Sequence, residues 1–267
     1  MNSTKQQFAL VTGGTSGIGY ELVKLLANDG YNLVIVARTE SDLERVSKEI
    51  AQQYGVQVKT IAKDLFDFEN AFEVYNQVVS QNIQIDILIN DAGHGHYGKF
   101  TDTDLRMELS IIDLNISSLV VLTKLFLKDM VARGDGKILN VSSIASKAPG
   151  PWQSVYHGTK AFVQSFTEAI RSELKDSGVT ITALLPGATD TDFFRKANMT
   201  ESKLVQEGKL DSAVEVARDG YKALMSGDDM VISGFMNKVQ VAMANVTPDA
   251  LAAEKMRKQQ EPVTEGK

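Results

Sequence analysis

The sequence predicts an α/β fold: a doubly wound parallel sheet of about seven strands with helices on both faces. Three observations carry that expectation. Strand-like and helix-like segments alternate along the chain. The strand-like segments are continuous apolar runs, which burial on both faces requires. A glycine-rich turn separates the first strand from the first helix.

Taken in order, Phe8 to Val11 reads as a short buried strand and Ile18 to Asn28 as a helix that Gly30 ends. Leu33 to Val36 is the second strand. Ser41-Asp42-Leu43-Glu44 has the capping-box pattern and opens a helix to about Tyr54, closed by Gly55. Val56 to Ile61 is the third strand, Phe68 to Ser80 a helix, and Ile85 to Asn90 the fourth strand. A long helix covers Asp104 to Ala132 and breaks at Gly134-Asp135-Gly136. Lys137 to Val141 is the fifth strand, Val155 to Asp176 a helix stopped by Gly178, and Val179 to Leu185 the sixth strand, ended by Pro186-Gly187. Ser212-Ala213-Val214-Glu215 caps a further helix, and Met230 to Ser233 is the seventh strand. No repeat or low-complexity linker divides the chain. Residues 1–233 therefore read as one domain and 234–267 as an extension packed on it, with a helix starting at Thr247-Pro248 and disordered last residues.

Composition bounds the function. The chain has 267 residues, enough for one domain with a large core. A formal net charge of -6 argues against a general nucleic-acid surface, which needs clustered Lys and Arg. The absence of cysteine excludes disulfides, thiolate metal sites and a cysteine nucleophile, and suits a reducing compartment. Met1 to Gln7 is polar and lacks the pattern of a signal peptide, and no apolar run approaches the roughly 18 residues of a membrane span. A cytoplasmic protein with no membrane or nucleic-acid partner is expected.

Thr12-Gly13-Gly14-Thr15-Ser16-Gly17-Ile18-Gly19 places glycines where a backbone must turn tightly and approach a pyrophosphate, ahead of a helix N-terminus with free N–H groups. The second strand ends Val36-Ala37-Arg38 with no carboxylate for a ribose 2′-hydroxyl. Ala37 leaves space, and the planar fork of Arg38 suits a 2′-phosphate, which points to NADP(H) over NAD(H). Asp64-Leu65 and Asn90-Asp91-Ala92-Gly93 fall at strand ends, where open α/β sheets bind ligands. Tyr156 and Lys160 stand one helical turn apart, and a fixed ammonium beside a phenol favours the phenolate and lowers a pKa normally near ~10.

With these motifs in this order, the chain strongly resembles the short-chain dehydrogenase/reductase family over roughly Phe8 to Ile232. The resemblance rests on the Thr12 to Gly19 turn, Asp64, Asn90-Asp91-Ala92-Gly93, Asn115, Ser143, the Tyr156/Lys160 pair, and Pro186-Gly187 leading to Thr191. Asp91 stands where the family usually has a second asparagine.

The resemblance implies a Rossmann-type oxidoreductase that moves a hydride between the nicotinamide and a carbonyl or alcohol substrate. Tyr156 would be the general acid/base, and Lys160 would depress its pKa and hold the nicotinamide ribose. Ser143 would hold the substrate oxygen, with Ser142 as rival, and Asn115 would position a water that relays protons to Lys160. Gly13, Thr15, Ser16, Gly17, Ile18 and Gly19 would hold the cofactor with Arg38. Asp64, Leu65, Asn90, Ala92 and Gly93 would join them, as would Pro186, Gly187, Thr189 and Thr191 after the sixth strand. Relatives are commonly homodimers or homotetramers paired through the long helices.

His94, His96 and His157 form no ligand set with carboxylates, so no metal is expected and they read as cleft or loop residues. By resemblance, substrate is read by His94 to Phe100, Ile144 to Ser154 and Ala188 to Leu210, the last a mobile lid. Trp152 either walls a pocket or packs on the long helices. The extension either packs on the sheet edge, contacts another subunit or shapes the substrate entrance. The rival functions are an NADP-binding sensor or scaffold without turnover, and an epimerase or dehydratase of related fold. The intact set of four catalytic positions argues against the first, and the chain length and glycine spacing against the second.

Overall fold

The computed structural model describes residues 6–263, so the disorder expected of the last residues falls outside the described range. Seven strands form one sheet in the order β3-β2-β1-β4-β5-β6-β7. They are β1 (Phe8–Thr12), β2 (Asn32–Ala37), β3 (Val58–Ala62), β4 (Ile85–Asn90), β5 (Gly136–Val141), β6 (Val179–Leu185) and β7 (Met230–Ile232). Every neighbouring pair is parallel. The strand order reverses between β1 and β4, which opens a crevice above their carboxyl ends.

The apolar runs are continuous because successive residues feed two different cores. Leu10, Val34, Leu88, Ile138 and Ile181 face one layer, where Leu122, Phe126 and Met130 meet them. Val11, Ile35, Ile89, Leu139 and Leu184 face the other, against Leu22, Leu26, Val46 and Leu224. Burying one such side chain contributes about 1.5–3 kcal/mol, so both faces must be covered.

The helices that cover them are α1 (Gly17–Asn28), α2 (Glu40–Tyr54), α3 (Glu69–Ser80), α4 (Leu105–Ile112), α5 (Leu119–Arg133) and α6 (Ser154–Glu173). Two short turns, α7 (Phe193–Lys196) and α8 (Lys203–Gln206), precede α9 (Ala213–Ser226), α10 (Phe235–Ala244) and α11 (Asp249–Gln260). The helix ends at Gly55 and Gly134 are left-handed, with φ of 70° and 73°, as their sequence positions require.

Four local expectations are corrected. The capping box at Ser41 does not form: α2 starts at Glu40 with Thr39 as its N-cap, and no side chain caps it. That start lets Leu43, Val46 and Ile50 reach the core together. The third strand begins at Val58, and α6 ends at Glu173 in a turn before Gly178. The predicted long helix is interrupted by a π-helical turn at Asp113–Ser118, joining α4 to α5.

The stretch Leu105–Arg133 is long and apolar enough to cross a membrane, contrary to the expectation that no segment reaches span length. Here it is a core helix. Leu122, Phe126 and Met130 are buried against the sheet, and so are the polar Asn115, Ser118 and Thr123.

Candidate active site

A cleft of ≈ 580 Å³ lies over the carboxyl ends of the strands. Its floor is tied together by Thr12, which pairs in register with Asn90 and whose Oγ1 accepts from the N–H groups of Asp91 and Ala92, each at 3.1 Å. The first β–α turn and the end of β4 are thereby held side by side.

Gly13, Thr15, Ser16, Gly17 and Ile18 line the cleft, and Arg38, Asp64, Leu65, Ala92 and Gly93 line it beside them. Ser143, Tyr156, Lys160, Pro186, Gly187, Thr189 and Thr191 complete its far side. A dinucleotide fits this wall. A Cβ on Gly13 would stand 3.1 Å from the Ala92 backbone, and one on Gly17, whose φ is +58°, 3.1 Å from Thr191 Cγ2. Ser16 N-caps α1 without a side-chain bond to it, so it consumes neither the Gly17 nor the Ile18 amide.

Three predicted residues stand outside the lining. Gly19 packs beneath the turn, where a side chain would collide with Asp91 and the Gly13 carbonyl. Asn90 points into the helix-covered layer, because strand alternation puts it opposite Asp91. There its Nδ2 donates to Thr123 Oγ1 at 3.0 Å and Asn140 Oδ1 at 2.9 Å. The expectation that Asn90 touches cofactor is corrected to a structural role. Asn115 is 1% exposed within the π turn. Its Oδ1 accepts from His94 N at 2.9 Å, and its Nδ2 donates to the His94 carbonyl at 2.9 Å and Thr159 Oγ1 at 3.0 Å. It braces the loop behind Gly93 and faces no solvent.

Tyr156 and Lys160 lie on one face of α6, with Lys160 Nζ 5.8 Å from the phenol ring centroid. Lys160 is buried and its Nζ donates to the Val141 carbonyl at 2.8 Å. The two serines separate cleanly. Ser143 lies by the Tyr156 phenol, with its Oγ accepting from Ala145 N at 3.1 Å and meeting the Pro186 carbonyl at 3.4 Å, whereas Ser142 donates to the Lys160 carbonyl at 2.7 Å.

The electrostatics differ from the expectation drawn from the Tyr–Lys spacing. Burial pushes the Tyr156 phenol up to about 12; the bond with Ser143 opposes this and the nearby Asp91 adds to it. Desolvation therefore outweighs any help from Lys160. Burial pushes Lys160 down, with Asp91 opposing, and pushes Asp91 up, with Lys160 and the Gly19 N–H opposing.

Arg38 stacks over Phe66, its Cζ 5.0 Å from the ring centroid, and Phe66 meets His94 edge-on at 5.5 Å. Burial and then Arg38 push His94 down to about 4, so its ring is neutral. Arg45 and Lys63 also reach the cleft and were missed in the sequence. The available signal for Arg45 was its place three residues after Asp42, on the helix face that opens beside Arg38.

On the substrate side, Phe193 packs against Tyr156 with ring centroids 5.1 Å apart. Trp152 does neither of the two things expected of it. It stacks on Tyr97, centroids 5.7 Å apart, beside Lys99. The extension returns to the cleft through Asn237, Gln240, Met256 and Gln260, the third of the placements the sequence offered for it.

A family model described as short chain dehydrogenase matches residues 7–202. The chain belongs to the short-chain dehydrogenase/reductase family. Such enzymes are oxidoreductases that interconvert alcohols and ketones with a nicotinamide dinucleotide, and the seven-stranded sheet is theirs. An uncharacterized oxidoreductase of Staphylococcus epidermidis is 30% identical over 217 residues, 81% of this dehydrogenase and 93% of that protein. A very-long-chain 3-oxoacyl-CoA reductase of Bos taurus is 32% identical over 216 residues, 78% of this chain and 68% of that one. Among solved structures, a short-chain dehydrogenase from Sphingobium yanoikuyae in complex with NADPH superposes with a TM-score of 0.80 at 26% identity, covering 93% and 99% of the two chains. A bulky-bulky ketone specific alcohol dehydrogenase from Comamonas testosteroni gives 0.76 at 25% identity over 94% and 99%.

Proposed function

We propose that this dehydrogenase reduces a ketone or aldehyde, or oxidises the matching alcohol, with NADP(H) in preference to NAD(H) and Tyr156 as general acid/base. The carrying observation is the Tyr156 phenol. It lies beside Ser143, is backed by Lys160, and is set in the same cleft as the glycine-rich turn and Arg38.

When bound, the dinucleotide supplies or accepts the hydride. The protein's own residues handle the proton. A phenol held near 12 is protonated at neutral pH, the state needed to give a proton to a carbonyl oxygen. Ser143 donates to the same oxygen and orients it. Lys160, anchored on Val141, keeps an ammonium beneath the phenol as negative charge develops on it. We assign Asn115 the positioning of the Gly93–His94 loop that borders Lys160; the proton-relaying water implied by the resemblance would lie against it.

The cofactor preference rests on Ala37 and Arg38 at the end of β2, with Arg45 and Lys63 nearby. Asp42 also reaches the cleft, but is paired with Arg45 at 3.5 Å. The NADPH of the Sphingobium neighbour supports the same choice. The names of the relatives, a 3-oxoacyl-CoA reductase and a bulky-ketone alcohol dehydrogenase, set the substrate panel.

The test is NADPH oxidation followed by absorbance against aldehydes, ketones and 3-oxoacyl thioesters, with Tyr156→Phe and NADH as controls. Turnover that needs Tyr156 and prefers NADPH is expected. Turnover independent of Tyr156 refutes the assignment. We also propose a cytoplasmic homodimer or homotetramer, for which the exposed Leu105, Leu109, Val131 and Phe162 on α4, α5 and α6 argue. A monomeric sedimentation coefficient at micromolar concentration refutes that.

A further inference from the structure

Asn237, in the first turn of α10, lines the cleft with one side-chain atom unused. Its Nδ2 donates twice, to Asp211 Oδ2 at 2.6 Å and to the Ser233 carbonyl at 2.7 Å. A carboxylate and a carbonyl only accept, so both N–H groups are engaged and the amide cannot be reversed. Oδ1 is left as an acceptor of fixed direction, with no partner among the described residues. The residue is half-buried, and this oxygen keeps solvent access.

Gly187 locates the oxygen. A Cβ on Gly187 would lie 2.3 Å from Asn237 Nδ2 and 2.6 Å from Oδ1, so the amide rests on the glycine. Gly187 follows Pro186, whose carbonyl meets Ser143 Oγ at 3.4 Å and accepts from Ile144 N at 2.9 Å. α10 also packs on the short turn Ile144–Lys147 that leaves Ser143. Asn237 therefore stands beside the two strand ends that frame the Tyr156 phenol. The threonine hydroxyls after Gly187 are engaged: Thr189 Oγ1 donates to the Gly187 carbonyl at 3.0 Å, and Thr191 Oγ1 accepts from Phe193 N at 3.3 Å.

Resting on the reductase reading above, we propose that Asn237 Oδ1 accepts a hydrogen bond from the carboxamide N–H of the nicotinamide, which makes the extension part of the cofactor site. Hydride leaves or reaches the ring at C4, so C4 must meet the substrate carbon beside Ser143 and Tyr156. The carboxamide is carried on C3, one ring carbon away, and borders that spot in every turnover. Its NH2 is the donor that the open acceptor requires, whereas the reacting carbonyl of a ketone or aldehyde has no proton to give. A carboxamide held in this way stops the ring turning about its glycosidic bond and keeps one face toward the substrate.

The probe is 3-acetylpyridine adenine dinucleotide phosphate, in which a methyl ketone replaces the carboxamide and no N–H remains. Isothermal titration gives Kd for NADP+ and for this analogue with wild type and with Asn237→Ala, and involves no turnover. The analogue-to-NADP+ ratio of Kd is expected to exceed one in wild type and to fall by about threefold to tenfold in the variant, as one net hydrogen bond requires. A displacement of α10 alone would weaken both ligands alike; an unchanged ratio overturns the inference and leaves the reductase intact. An unchanged ratio with a raised KM for the carbonyl substrate assigns the oxygen to substrate instead, and overturns it equally. Wild type that binds neither dinucleotide overturns the cofactor reading, and this inference with it. Should thermal unfolding show that Asn237→Ala does not fold, Asn237→Ser answers the same question, since its shorter side chain withdraws the acceptor.

Discussion

The Asp91 carboxylate accepts the backbone N–H of Gly19, and this bond shuts the glycine-rich turn against the end of β4. A methyl group on Gly19 has nowhere to go, since Asp91 and the Gly13 carbonyl already fill that space. Gly19→Ala is expected to cost about 1–3 kcal/mol of stability by overpacking. It should also weaken NADPH binding, because the turn must open. Thermal unfolding and fluorescence titration check both, and a variant matching wild type in the two measurements contradicts the packing described.

Removing the phenolic hydroxyl takes away the proposed proton donor and little else, since the ring still packs on Phe193. Tyr156→Phe should lower kcat by roughly 10²–10⁴-fold with NADPH affinity unchanged. A loss in affinity as large as the loss in kcat would mean that the ring, not the hydroxyl, is what matters.

The high phenol pKa sets opposite pH profiles for the two directions. Reduction uses the protonated phenol together with the Lys160 ammonium, which burial brings down to about 8, so its rate should hold at pH 6 to 7 and fall as pH rises through about 8. Oxidation uses the phenolate, whose fraction rises tenfold per pH unit below about 12, so alcohol oxidation should climb across the same range. Ser143 holds the pKa down, and Ser143→Ala should displace the oxidation limb to still higher pH. An oxidation rate that is flat between pH 7 and 9 would show that another group carries the proton.

Arg38 is oriented by the face of Phe66, and its charge is what a 2′-phosphate would meet. Arg38→Asp should reverse the NADPH-over-NADH ratio of kcat/KM. Phe66→Leu should raise KM for NADPH several-fold with kcat unchanged. If Arg38→Asp leaves the ratio where it was, the discrimination resides in Arg45 or Lys63.

The sequence disclosed the sheet because both faces of every central strand are apolar, and a run such as Leu33 to Val36 fits no other environment. It pointed to one end of the cleft because the Gly13–Gly17 turn and Arg38, which line it, are local to one strand–helix–strand unit. At the end of β4 it misjudged Asn90, whose direction depends on strand phase at the edge of a motif. The choice between Ser142 and Ser143 was illegible for the same reason, since adjacent residues leaving β5 point opposite ways. Nothing in the residues Asp113–Ser118 announces a π turn, and the Tyr156 pKa depends on burial that spacing does not encode. The placement of Gln260 against His157 joins residues 103 apart, which no local pattern reveals.

Those separations order the birth of the molecule. The contiguous sheet segment β3-β2-β1-β4, with the dinucleotide turn, draws only on residues up to Asn90, and each later strand adds to the growing edge in sequence. A chain emerging from the ribosome thus assembles its nucleotide cradle first, as N-terminal units generally do. The wall that Gln260 contributes arrives much later along the chain. A nicotinamide dinucleotide that bound there would act as a folding ligand for the nascent protein before the rest of the cleft is in place.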